Sequence, residues 1–145
     1  DDVKKAVFSG DNLKLADKQL RTVWDIPNNK TKKELQLGKH PTQKPTKIIS
    51  HFIKHLSNKN DVVLDPFIGS GTTGVAAIDL ERNFIGIENN KEYYKVAVKR
   101  IKDEKKINVE IKKIVSKTGL SKESARKRIY AKKKSIVKKK SIVKN

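Results

Sequence analysis

The chain contains no cysteine and only three histidines among its 145 residues. Disulfide bonds and thiolate metal sites are therefore excluded, because both require cysteine sulfur. His51 and His55 lie four residues apart on one predicted helix, but no third ligand follows them. Since a structural zinc site needs four ligands, we predict that this chain holds no metal.

Long hydrophobic runs are also missing. No stretch approaches the roughly 18 apolar residues that a membrane span requires. The amino end shows none of the features of a signal peptide. These absences predict a cytoplasmic chain without a membrane partner. Its length leaves room for one modest domain, or for a small domain with an appendage.

Acidic residues are scarce, and they are scarcest towards the carboxyl end. The whole chain has 35 lysines and arginines against 16 acids, a net charge of +19. Residues 1–98 hold 16 basic and 12 acidic residues, a net of +4, whereas residues 99–145 hold 19 and 4, a net of +15. Such a concentration favours a polyanion through counterion release, and nucleic acid is the usual one. A lysine-rich, solvated surface is the alternative interpretation.

The middle of the chain alternates between helical spacing and short apolar runs. Two prolines precede a helix that should pack on a sheet through Ile48, Ile49, Phe52, Ile53 and Leu56. We predict a buried parallel strand at 62–64, a crossover helix at 72–80, a second strand at 84–87 and a helix at 91–105. The last helix should carry Tyr94, Val96, Ala97 and Ile101 inward. This order indicates an α/β fold built on a βαβα unit with parallel strands.

A glycine-rich turn joins the first strand to the crossover helix, in the segment Asp65-Pro-Phe-Ile-Gly-Ser-Gly-Thr-Thr73. Glycine lets backbone N–H groups approach a ligand, and a helix start favours an anionic group. Glu88 ends the second strand, where an acid can hold both hydroxyls of a ribose. The pattern indicates half of a nucleotide-cofactor site, but it does not choose between a dinucleotide and another nucleotide cofactor. A tight turn without a ligand is the alternative.

Three segments together resemble the amino-methyltransferases of DNA. They are His40-Pro-Thr-Gln-Lys-Pro45, Leu64-Asp-Pro-Phe-Ile-Gly-Ser-Gly-Thr-Thr73 and Ile85-Gly-Ile-Glu88. They are similar to the permuted, beta-group adenine-N6/cytosine-N4 methyltransferases of restriction-modification systems, in which the cofactor-binding half follows the catalytic half. The resemblance extends from about Thr22 to about Ile101. It implies a partial Rossmann-like fold that uses S-adenosylmethionine. Asp65-Pro66 directly before the turn, together with the first segment, speaks against a dinucleotide-dependent oxidoreductase.

The resemblance also implies roles for individual residues. The glycine-rich turn would line the methionine portion of the cofactor, the acid at position 88 would bind the ribose, and the segment at 40–45 would close over the carboxylate end. Thr72 could instead serve only the helix start, and Lys44 could be a solvated surface residue. The predicted cofactor-binding residues are Thr42, Gln43, Lys44, Asp65, Phe67, Gly69, Gly71, Thr72, Glu88 and Asn89.

One motif of that family is missing from this chain. Family members hold the target amine with an Asp/Asn/Ser-Pro-Pro-aromatic tetrapeptide, but the four prolines here are never adjacent. We therefore expect the carboxyl-terminal portion of a site-specific adenine methyltransferase, with cytosine as the variant, that is inactive alone and has no catalytic residue of its own. A second polypeptide that supplies the catalytic half, or self-association, should complete it. The alternative is a non-catalytic DNA-binding or regulatory module with a vestigial methyltransferase fold.

The carboxyl end is predicted to be a basic α-helical extension. Helical spacing over 109–118 ends at Gly119, and Ser121 can cap a second helix from 122 to about 132 that carries Ala125 and Ile129 inward. A helix, a turn and a basic helix resemble a helix-turn-helix, whose second helix enters the major groove of DNA. A solvated hairpin is the alternative. The predicted contacts to double-stranded DNA are Lys122, Arg126, Lys127 and Arg128.

The predicted organisation has three parts. Residues 1–39 are the end of a target-recognition or linker region, residues 40–106 are the part that binds S-adenosylmethionine, and residues 107–145 are the basic tail. The tail ends in the repeated sequence Ser-Ile-Val-Lys, at 135–138 and 141–144, which is expected to be mobile.

Overall fold

The computed structural model describes residues 43–142, except the side chains of residue 134 and of residues 136–142. The elements in chain order are α1 (Thr46–Leu56), β1 (Val62–Asp65), α2 (Thr72–Asp79), β2 (Asn83–Gly86), α3 (Lys91–Thr118) and α4 (Lys122–Ile142). The chain divides into two compact units, Asp1–Glu104 and Lys105–Asn145. No helix within residues 43–142 has the length and apolar character needed to cross a membrane. The predicted region at 1–39 and the residue Thr42 lie outside the described residues.

Strands β1 and β2 form a parallel pair, with α2 as the crossover between them. The register pairs Val63 with Phe84 and Asp65 with Gly86. Because the strands are parallel, their carboxyl ends lie at the same edge of the sheet, and the loop after β1 meets the loop after β2 there. The prediction of an α/β fold with a βαβα unit is therefore confirmed.

The core of the first unit lies between α1, α2 and one face of the strands. Ile53, Ala76 and Ala77 are buried, and Val63 and Phe84 of the strands pack against them. Alanine at two core positions of α2 allows close approach of α1, which packs mainly on α2. The predicted packing of α1 on the sheet was therefore incomplete, and its residues Phe52 and Leu56 remain exposed.

The other face of the strands is apolar and exposed. Leu64 and Ile85 are register partners on this face and are 61% and 55% exposed, and Val62 and Ile87 are exposed to a similar degree. The prediction of a buried strand at 62–64 was wrong for this face. Side chains alternate between the two faces of a strand, and in the described part of the chain α1 and α2 cover only the face of Val63 and Phe84.

Helix α3 runs without interruption from Lys91 to Thr118. The predicted end near residue 105 and the separate helix at 109–118 were therefore wrong. No glycine or proline lies between 91 and 118, so nothing breaks the backbone hydrogen bonding. Ala97 is fully buried as predicted, but Tyr94 is 52% exposed and does not face inward.

The second unit is a pair of helices with a small core of its own. Ile107 and Ile111 of α3 pack with Ala125 and Ile129 of α4, which confirms the predicted inward positions on α4. Gly119 ends α3 at a φ of +67°. The backbone N–H of Ser124 donates to Ser121 Oγ over 3.2 Å, which caps the start of α4.

Helix α4 continues to Ile142, ten residues beyond its predicted end. Residues 133–142 are all lysine, serine, isoleucine or valine, and they include no helix breaker. The segment expected to be mobile is therefore helical as far as 142, and residues 143–145 lie outside the described residues.

Candidate cofactor-binding site

The carboxylate of Glu88 connects the end of β2 to the glycine-rich turn. Its Oε2 accepts a hydrogen bond from the backbone N–H of Gly69 over 2.9 Å, and its Oε1 accepts one from Asn90 N–H over 2.9 Å. The Ile68 N–H also donates to Ile87 O over 3.1 Å, so the two loops are joined through backbone and side chain. These bonds hold a half-buried carboxylate against the turn, at the carboxyl edge of the parallel strands.

Asp65 holds the other side of the turn. Its Oδ1 accepts from Phe67 N–H over 3.0 Å, and its Oδ2 accepts from the hydroxyl of Thr73 over 2.6 Å. The carboxylate therefore bridges the end of β1 and the first turn of α2. Asp65 and Glu88 are placed at neighbouring strand ends because the pair is parallel and Asp65 is in register with Gly86.

Glycine is needed in and beside the turn for two physical reasons, the backbone conformation and close packing. Gly69 and Gly71 have φ values of +51° and +82°, which side-chain-bearing residues rarely adopt. A Cβ on Gly71 would lie 2.8 Å from Ala97 Cα, and a Cβ on Gly74 would lie 2.5 Å from Ile101 Cδ1. Glycine at 71 therefore allows α3 to approach the turn closely, and glycine at 74 leaves room on α2 for the side chains of Ile101 and Phe84. The ligand-based interpretation did not contain these reasons.

The remaining predicted site residues differ in how exposed they are and in the segment on which they lie. Phe67, two residues after the carboxyl end of β1, is 88% exposed, and Asn89 is exposed after Glu88. Thr72 is buried. Gln43 is buried and Lys44 is exposed, and both lie just ahead of α1, on a different segment from the turn. Hydrogen bonds bring together Glu88 with Gly69, and Asp65 with Phe67.

Three residues of the site were not identified from the sequence. Thr73 binds Asp65, Asn90 caps α3 by accepting from the N–H groups of Glu92 and Tyr93, and Arg100 donates to Ser70. The role of Asn90 could have been inferred from the sequence, because asparagine just before a helical pattern is a preferred N-cap. Arg100 has no such signal, since it lies among the many basic residues of α3 and nothing local distinguishes it from them.

Residues 2–99 match the N6_N4_Mtase family model, which is described as DNA methylase. The chain belongs to this family of DNA methylases. The match confirms the resemblance to DNA amino-methyltransferases that the three sequence segments suggested. Within the family, this chain is 52% identical over 84 residues to the Type II methyltransferase M2.LlaDCHI of Lactococcus lactis subsp. cremoris, an alignment that covers 58% of this chain and 31% of the relative.

Two further similarities are to a curated protein and a solved structure. The DNA adenine methyltransferase YhdJ of Escherichia coli (strain K12) is 47% identical over 79 residues, which cover 54% of this methylase chain and 26% of the relative. The crystal structure of the M1.HpyAVI-SAM complex has 59% sequence identity and a TM-score of 0.43, over 43% of this chain and 31% of that chain. The chain spans about a third of the length of the first curated relatives it matches.

Proposed function

We propose that this chain is the S-adenosylmethionine-binding portion of a site-specific DNA methyltransferase that transfers a methyl group to the exocyclic amine of adenine. The observation that carries the proposal is the Glu88 carboxylate, fixed against Gly69 at the carboxyl edge of two parallel strands. Membership of the DNA methylase family supports the reaction class. The choice of adenine is supported by the relative YhdJ, which is named as a DNA adenine methyltransferase.

The geometry of Glu88 fits a ribose. A carboxylate has about four lone-pair positions, and the backbone N–H groups of Gly69 and Asn90 occupy one on each oxygen. One position on each oxygen is left for a vicinal diol, and the two backbone bonds already fix the direction of the carboxylate. Glu88 would therefore bind the two ribose hydroxyls without further rearrangement.

The other residues of the edge suit the remaining parts of the cofactor. Asp65 retains acceptor capacity for the ammonium group, and the exposed ring of Phe67 supplies an apolar cover. When bound, S-adenosylmethionine supplies an activated methyl group on its sulfonium. The residues of this chain bind and orient it. The proposed contacts are completed by Gly69, Gly71 and Thr72 in the turn, Asn89 near the adenine, and Thr42, Gln43 and Lys44 near the carboxylate.

Methyl transfer itself requires residues that this sequence does not contain. No Pro-Pro tetrapeptide is present to hold the target amine. The exposed apolar face of β1 and β2, formed by Val62, Leu64, Ile85 and Ile87, is a suitable surface for the part that carries it. We propose that a second polypeptide with the catalytic half covers this face, or that self-association does, and that the assembly acts in the cytoplasm.

A light-scattering measurement tests this part of the proposal. The purified chain should be dimeric or larger, or should form a one-to-one complex with a catalytic half from a relative. Replacing Leu64 and Ile85 by threonine should remove the association, whereas replacing Val109, an exposed apolar residue of the second unit, should not. A monodisperse monomer that does not bind the catalytic half would contradict the proposed docking face.

A second candidate function is a non-catalytic DNA-binding module that uses the helices of the second unit. Residues 105–145 carry 16 lysines and arginines and only two acids, and the helix pair has its own buried core. Lys122, Lys127 and Arg128 are exposed on α4. Arg126 is half-buried and donates from Nη2 to Asn108 Oδ1 over 3.1 Å, so we propose a smaller part for it in DNA contact.

Calorimetric titration of S-adenosylmethionine into the purified chain separates these two functions. We expect saturable binding that Glu88→Ala abolishes and that NAD does not compete with. Glu92→Ala is the matched control, because Glu92 is an exposed acid four residues further on that pairs with Lys95. A folded chain that gives no heat with the methyl donor would refute the first function and leave the DNA-binding module.

A further inference from the structure

The guanidinium of Arg100 lies beneath the glycine-rich turn. Arg100 is on α3, one turn after the fully buried Ala97, and it is itself only 7% exposed. Its Nη1 donates to the carbonyl of Ser70 over 2.7 Å, to the hydroxyl of Ser70 over 2.8 Å and to the hydroxyl of Thr72 over 3.4 Å. One side chain thus reaches the middle of the turn and the first residue of α2.

A buried guanidinium is an unusual use of a charge in this chain. Burying a cation is unfavourable unless hydrogen bonds replace its water, and the turn supplies three acceptors. Arginine is suited to this position because a guanidinium is more weakly hydrated than a lysine ammonium and is therefore less costly to bury. Arg100 therefore has a specific task at the turn that lysine would not fulfil equally well.

The bonds of Arg100 restrict the peptide between Ser70 and Gly71. The carbonyl of this peptide accepts from Arg100, while its N–H donates to Ile68 O over 2.8 Å. Rotation of the peptide would break both bonds. This restriction matters for Gly69, which stands two residues earlier in the same turn and presents its N–H to Glu88.

We propose that Arg100 is a positioning residue for cofactor binding, which acts through the conformation of residues 68–72 and makes no contact with the ligand. This inference rests on the proposed function, because the ligand concerned is S-adenosylmethionine. Without Arg100 the turn populates other conformations, and the apparent affinity falls in proportion to the competent fraction. A fall of the competent fraction to about one tenth raises Kd about tenfold.

The test compares Arg100→Met with Lys99→Met, its exposed neighbour on the same helix. Calorimetry at a temperature where circular dichroism shows each variant folded measures Kd for S-adenosylmethionine. We expect Kd to rise about tenfold in Arg100→Met, to rise less in Arg100→Lys, and to stay unchanged in Lys99→Met. A purely structural role would lower stability and leave Kd of the folded protein unchanged, which would overturn the inference. Arg100→Lys serves for all measurements if the methionine variant does not fold.

A second readout is independent of the cofactor. Amide hydrogen exchange of Gly69 and Gly71, measured by NMR on the ligand-free chain, should accelerate in Arg100→Met but not in Lys99→Met, relative to the amides of β1. Unchanged exchange at both glycines would overturn the inference. If the wild-type chain binds no S-adenosylmethionine, the proposed function fails, and the exchange data still decide whether Arg100 holds the turn.

Discussion

Replacing Gly71 by alanine is expected to destabilise the first unit strongly. Gly71 has a φ of +82°, and a left-handed conformation costs a side-chain-bearing residue about 1–2 kcal/mol. The new Cβ would also lie 2.8 Å from Ala97 Cα and 2.9 Å from Ala97 Cβ. A backbone atom of a long helix cannot move aside alone, so overpacking adds about 1–3 kcal/mol. We expect a total loss of about 2–4 kcal/mol, since the two effects act at one position and are not fully additive.

Gly119→Ala is the matched control for this prediction. Gly119 has a similar φ of +67°, but no atom lies within 4 Å of its hypothetical Cβ. Its replacement should therefore cost only the backbone strain, about 1 kcal/mol. Urea unfolding followed by circular dichroism gives the free energies, and hydrogen exchange of the β1 and β2 amides assigns the larger loss to the first unit. Equal losses for the two variants would refute the argument that α3 requires glycine at position 71.

Three further predictions concern other parts of the structure. Arg82→Lys should lower the free energy of unfolding by about 2 kcal/mol, because the buried guanidinium donates to Ser57 Oγ, Ser57 O and Leu80 O. A urea unfolding curve identical to that of the wild type would contradict this prediction. Burial lowers the pKa of His55 below 6.5, and His51 and Lys54 lower it further, so the folded state binds fewer protons than the unfolded state. Stability should therefore fall as the pH drops below about 6.5, and the urea midpoint of His55→Gln should fall less steeply. Ile129→Ala should cost about 2–4 kcal/mol, seen as lost hydrogen-exchange protection in residues 105–133, and protection that remains unchanged there would show that the helix pair has no core of its own.

The parts of the fold with a local signal could be predicted from the sequence. The strands, the crossover helix and the turn follow from short apolar runs, helical spacing and glycine placement, and Glu88 follows from its position after the second strand. The ends of the last two helices were not predictable in the same way. A stretch rich in lysine has no clear period, so only the absence of glycine and proline indicates that α3 and α4 continue.

The contacts between distant segments could not be predicted from the sequence. The hydrogen bond from Arg100 to Ser70 joins residues 30 positions apart, and the approach of α3 to Gly71 depends on how the helix packs. An open pair of strands was expected to expose apolar surface, but which face is exposed, the one that carries Leu64 and Ile85, was not predicted. A short apolar strand predicts burial on both faces, and which neighbours cover each face is a tertiary property that local patterns do not contain.

The arginines and lysines of this chain differ in what they hold together. Only five of its 35 basic residues are arginines, and four of these lie in the described part of the chain. Arg82, Arg100 and Arg126 each donate from the guanidinium to another segment, and Arg128 is exposed. Acylation of lysines should therefore remove surface charge while the hydrogen bonds of Arg82, Arg100 and Arg126 persist. A dicarbonyl reagent should modify Arg128 well before Arg82 or Arg100. Two simple chemical treatments can thus separate the proposed attraction of this chain for DNA from the integrity of its fold.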